Sequence, residues 1–215
     1  MPRLPALLLM LFGATSAFAQ SSSDPSRSEA LQGLASRDVA QRAEAVAWIA
    51  NYGKPADDEI LLQRLTDESP LVRNVAEQGL WLLWGRSGDE TIDALMAKGM
   101  EEMQAGQLKE SIATFSEVIR RKPAFAEGWN KRATALYLAG DFKRSLADCD
   151  EVMKRNPYHF GALAGYGQSY FQLEQYSKAI EYWKRALRVN PNMVSVETSI
   201  KGTEQLLAER RKRSA

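Results

Sequence analysis

Beyond residue 28, apolar residues recur at intervals of three and four, and no stretch alternates apolar with polar as a strand does. The pattern predicts helices joined by short polar turns. Pro123, Pro157 and Pro191 each fall 34 residues after the last, and each closes two amphipathic stretches separated by a turn. Ala105-Gly106-Gln107 and Ala139-Gly140-Asp141 supply two of those turns. Units of this length cannot bury their apolar faces alone, so they must stack into a curved array.

A looser repeat with an offset of 31 precedes them: Arg42 matches Arg73, Ala45 matches Ala76, and Ile49 matches Leu80. Asp38 before Val39, and Ser69 before Pro70, read as helix starts. Gly53 and Gly85 are expected to end these helices in a left-handed conformation. The run Gly79-Leu80-Trp81-Leu82-Leu83-Trp84-Gly85 is apolar all round and must be covered on more than one side. The expectation is that both tryptophans lie between this pair and the next repeats, the other reading being an exposed aromatic patch.

The third 34-residue unit carries Leu163, Tyr166-Gly167, Tyr170, Ala179, Trp183 and Pro191. The second has Trp129, Ala133, Leu136, Ser145, Cys149 and Pro157, and the first has Leu95, Gly99, Ser111, Phe115 and Pro123. The arrangement resembles the tetratricopeptide repeat (TPR). The stretch Asp67 to Ala76, with Val72-Arg73 and spaced alanines, resembles the second helix of a HEAT repeat. The expected fold is all-α, an α-solenoid of two HEAT-like units, three TPR units and a C-terminal capping helix. The boundaries follow: 29–86 HEAT-like, 91–191 TPR, and 192–215 capping helix with a basic tail. Lys98 and Glu102, at usually apolar positions, suggest that unit one docks on the HEAT-like pair in a modified way.

The TPR resemblance implies a concave groove lined by the first helix of each unit. Carried onto this sequence, the partner-binding lining is Met96, Met100 and Met103, then Asn130, Lys131, Thr134 and Tyr137, then Gln168 and Phe171. Methionines adapt to apolar partners of different shape, although Met96 and Met100 packed on the preceding helices is the competing reading. Chaperone-binding TPR proteins clamp a terminal carboxylate with cations and amides. The corresponding positions here are Met96, Met100, Lys131, Gly161 and Gly165, which do not form that clamp.

The first residues change the setting. Arg3, the apolar Ala6 to Phe12 and the small-x-small Ala17-Phe18-Ala19 before Gln20 read as a cleaved signal peptide over 1–19, with a polar linker over 20–28. The expectation is an exported protein, periplasmic if the source is Gram-negative and otherwise secreted. A net charge of +1 gives no basis for a nucleic-acid partner. Membrane contact is restricted to an uncleaved N-terminus or the tail Arg210-Arg211-Lys212-Arg213.

Chemistry is sparse. The chain holds one cysteine and one histidine, and no nucleophile elbow, phosphate-binding glycine loop or HExxH. Cys149 sits at an apolar repeat position beside Asp148, Asp150 and Glu151, which disfavours a reactive thiolate. No cofactor or metal is expected and no enzyme activity. The sequence therefore reads as a protein–protein interaction scaffold that binds a peptide or helix. The alternative is a membrane-tethered structural subunit of a cell-envelope complex.

Overall fold

The structure, a computed structural model, describes residues 26–214, so the expected signal peptide lies outside the described residues. The described chain is helical, with one short 3-10 turn and no strand among the described residues. Helix α1 (Arg27–Gly33) starts inside the segment read as a linker, because Ser26 and Glu29 cap each other. Ser26 Oγ accepts from the Glu29 N–H at 3.3 Å, and Glu29 Oε2 accepts from the Ser26 N–H at 2.6 Å.

Helix α2 (Val39–Tyr52), a 3-10 turn (Pro55–Asp57), α3 (Asp58–Arg64) and α4 (Pro70–Gly85) complete the N-terminal region. The 31-residue offset holds at the level of atoms. Arg42 donates to the carbonyls of Ser36 and Arg37, and Arg73 donates to those of Asp67 and Glu68. Arg42 also forks onto Asp67 at 3.0 and 3.1 Å, tying one copy to the next. Val46, Ile49, Leu61, Leu65, Val72, Ala76 and Leu80 form the core between α2, α3 and α4. The left-handed endings expected at Gly53 and Gly85 are absent: neither has positive φ. Gly53 is needed for a different reason, since a Cβ there would overlap the Ile49 carbonyl.

Three hairpins follow: α5 (Glu90–Gln104) with α6 (Leu108–Arg121), α7 (Ala126–Leu138) with α8 (Phe142–Arg155), and α9 (Phe160–Gln172) with α10 (Tyr176–Val189). Helix α11 (Val194–Ser214) packs on α10. Each hairpin sets a small residue against a bulky one or a hydroxyl. A Cβ on Gly99 would stand 2.6 Å from the Phe115 ring, and one on Gly167 would overlap Trp183. Ser111 donates to the Gly99 carbonyl at 2.8 Å, and Ser145 donates to that of Ala133 at 2.9 Å. Lys122, Asn156 and Asn190 cap α6, α8 and α10 immediately before the three prolines, where a following Pro disfavours helix. Within the hairpins, Gly106 and Gly140 turn with φ of 75° and 80°. Glu174 takes the equivalent position at 56°, which costs a side-chain-bearing residue about 1 kcal/mol.

The N-terminal region does not simply stack on the first hairpin. Lys98 and Glu102, read as a modified docking surface, are satisfied within unit one: they pair at 3.6 Å, and Glu102 accepts from Thr114 Oγ1 at 2.6 Å. Helix α4 instead runs across the turns that join the units. Near its start, Arg73 Nε donates to Asn192 Oδ1 at 2.8 Å, and Asn192 Nδ2 donates to the Leu65 carbonyl at 2.9 Å. Toward its end, Trp81 and Trp84 pack on His159 and Phe160. Just beyond it, Ser87 accepts from Lys122 Nζ. Helix α4 and the residues just beyond it therefore strap all three inter-unit turns.

Candidate peptide-binding groove

The first helices of successive hairpins touch one another, α5 with α7 and α7 with α9, so they line the inner side of the curve. The nine residues assigned to that lining part company. Met96 is buried with Ile92, Phe115, Val118, Phe125 and Ala135, which corrects its assignment to the groove. Met100 and Met103 are half-buried against the same cluster, which spans the first and second hairpins. Asn130 is also buried, donating to Glu127 Oε2 at 3.1 Å, and is likewise no lining residue. The register explains both: residues 96, 130 and 164 hold equivalent positions, and Ala164 is buried too.

Thr134 and Gln168 are exposed on the inner face. Tyr137 and Phe171 meet Gln168 and Gln172 around an open pocket of about 390 Å³. Tyr137 Oη accepts from Gln172 Nε2 at 3.2 Å, and Phe171 leans edge-on against Tyr176. The far wall is α11, through Ser199, Gly202, Thr203 and Leu206, while Trp183 closes the bottom. Helix α11, expected from the sequence as a cap, also lines the pocket. The 34-residue register carries Gly165, Gln168 and Gln172 onto Ser199, Gly202 and Leu206, so the signal was present.

At the other end the inner face is covered. A Cβ at Gly161 would overlap the Trp81 ring. The same ring lies 5.9 Å from Lys131 Nζ, and Lys131 pairs with Glu127 Oε1 at 3.0 Å. Beneath it sits a polar pair that sequence reasoning missed. His159 and Glu127 are 0% and 3% exposed, with His159 Nε2 at 3.0 Å from Glu127 Oε2. His159 Nδ1 accepts the Ala162 N–H at 3.0 Å, capping α9, so the ring proton is on Nε2 and donates to the carboxylate. Trp84 stacks on the imidazole at 4.7 Å. Burial works against ionising Glu127, but the hydrogen bond from His159 and the charge of Lys131 outweigh it, and the carboxyl titrates below its usual range.

Cys149 is buried, and burial first, then Asp148 and Asp150, push its thiol up to about 12. Among the described residues no group of three or more His, Cys, Asp or Glu is placed to hold a metal. No described helix is long and apolar enough to cross a membrane.

A curved stack of helical hairpins with an accessible inner face defines the class, an α-solenoid. Residues 96–160 and 164–193 match the family described as tetratricopeptide repeat, and the chain contains TPR units there. Such repeats are typically non-catalytic protein-binding scaffolds. A TPR repeat-containing protein of Rhizobium etli is 28% identical over 134 residues, covering 62% of this chain and 66% of that protein. Among solved structures, the Sgt2 TPR domain of Aspergillus fumigatus superposes with a TM-score of 0.55 at 17% identity, covering 58% of this chain and 83% of that one. The first TPR of Spaghetti (RPAP3), bound to an HSP90 peptide, gives 0.53 at 22% identity, covering 55% of this chain and 94% of that one. At these identities the structural likeness concerns the fold.

Proposed function

We propose that this chain is a non-catalytic adaptor that holds a peptide or helix of a partner protein in the distal half of its inner face. The open pocket between Tyr137, Phe171 and Gly202 carries this reading. The TPR of Spaghetti with its bound HSP90 peptide supports it as a precedent for what this fold holds. The α2–α4 pair, with its 31-residue repetition, serves as a HEAT-like brace for the TPR units.

The adaptor acts outside the cytoplasm as part of the cell envelope, a reading that rests on Arg3, the apolar Ala6 to Phe12 and Ala17-Phe18-Ala19. Mass spectrometry of the mature protein should find Gln20 at the N-terminus. An intact Met1 would support the tethered subunit instead.

A photo-crosslinking residue at Gln168 should capture a partner in the native compartment, while the same residue at the exposed Lys143 on α8 should not. Phe171→Glu should abolish the Gln168 crosslink with helicity unchanged. Equal capture from both positions would overturn the groove assignment.

A further inference from the structure

We infer that Trp81 is a built-in occupant of the groove, and that what remains open selects an uncharged, internal partner segment with an aromatic anchor. The inference rests on the adaptor reading and adds the chemistry of the ligand to it.

The argument begins with charge. Lys131 is the cation beside the covered end, and Glu127 and the Trp81 ring already engage it. A carboxylate arriving there would face a buried acid and an indole. The open pocket is lined by Tyr, Gln, Phe, Trp, Ser, Gly, Thr and Leu, with no charged side chain in its lining. An ionised group entering it would lose hydration and gain no counter-charge, whereas a neutral one loses little. A free chain end carries such a charge, so the segment that fits is internal.

The anchor follows from the contact the molecule makes with itself. Trp81 lies against Gly161, where the missing side chain lets an indole reach the helix backbone. Gly202 offers the same bare backbone in the open pocket, and a Cβ built there meets nothing within 4 Å. Phe171 and Tyr137 wall that space with aromatic surface, suited to a second ring in an edge or offset contact. A volume of about 390 Å³ is within the range of small-ligand sites, enough for one large side chain. The covered end thus displays in cis the contact that the open end makes with a partner.

The test uses the whole protein and two probes, N-acetyl-tryptophanamide and the free-ended peptide acetyl-Gly-Asp-Glu, followed by amide NMR shifts. In wild type the tryptophanamide should move Gln168, Phe171, Gly202 and Thr203, and the acidic peptide should move none of them. Gly202→Leu places a side chain where a Cβ meets nothing within 4 Å, and should weaken the tryptophanamide at least tenfold. Trp81→Ala should keep the distal shifts and add a second set at Gly161 and Lys131. Stronger binding of the acidic peptide at the pocket would overturn the neutral selectivity while leaving the groove as a binding site. Shifts from either probe confined to other surfaces would overturn both readings. No second set in a folded Trp81→Ala protein would remove Trp81 as the occupant.

Discussion

The two ends of the inner face are built from the same 34-residue unit and present opposite surfaces, one covered and one open. At the Gly161 end, α4 lays Trp81 and Trp84 over a buried Glu127–His159 pair, and the surface becomes core. At the Gly202 end the equivalent helices part around an open pocket. The difference teaches that a repeat position has no fixed fate. Whether it stays open or becomes core depends on what the rest of the chain lays across it.

Substitutions can break this comparison, and the covered end should be the costly one. Trp84→Ala removes the ring stacked on His159 and packed on Phe160, and should cost about 3 kcal/mol or more in urea denaturation. Gln168→Ala, its exposed counterpart at the open end, should stay within about 0.5 kcal/mol. A loss at Gln168 as large as that at Trp84 would erase the distinction.

Glu127→Gln tests the polar pair beneath the tryptophans. Removing the charge leaves His159 and Lys131 without their carboxylate and should cost about 2–3 kcal/mol at neutral pH. The pH profile sharpens this. Glu127 titrates below its ordinary value of 4.5 in the fold, so its stabilisation is fully present above that value and is lost as the pH falls through the depressed one. Denaturation midpoints between pH 7 and pH 3 should therefore drop less for Glu127→Gln than for wild type. Parallel profiles would show that the pair contributes nothing specific.

Asn192→Ala unhooks the start of the strap from Arg73 and the Leu65 carbonyl, and should cost about 1–2 kcal/mol. Hydrogen exchange should quicken first in the turn between α10 and α11. The smallest effect is a gain. Glu174→Gly relieves a left-handed residue at a position where the first two units already use glycine, and should raise stability by up to about 1 kcal/mol in thermal melts. Its weak pairing with Arg210 at 3.5 Å offsets little of that.

How much of this the sequence discloses depends on the range of the contacts. Gly99 with Phe115 and Gly167 with Trp183 are pairs within one hairpin, repeated in register, so composition and spacing reveal them. The distal site was half legible: Tyr137, Gln168 and Phe171 follow from the repeat, while Ser199, Gly202 and Leu206 were hidden by reading α11 only as a lid on the last hairpin. Met96 misled because its flexible thioether suits a groove and a core equally; only the buried Asn130 and Ala164 in its register position decide between them. Trp81 on Gly161 joins residues far apart in the chain and leaves no periodic trace. The same holds for His159 with Glu127, which lie in different units.

The strap also limits how this architecture can grow. The stretch from Arg73 to Ser87, helical as far as Gly85, is anchored at Asn192, at His159 and Phe160, and at Lys122. In arrays of this kind each repeat ordinarily contacts only its neighbours, so a further unit need not disturb distant ones. Here an extra hairpin inserted between any two anchors would carry one of them beyond reach of a helix whose span is fixed at 1.5 Å per residue. Such a molecule can be extended only outside its buckled section, so its curvature is inherited as a fixed dimension.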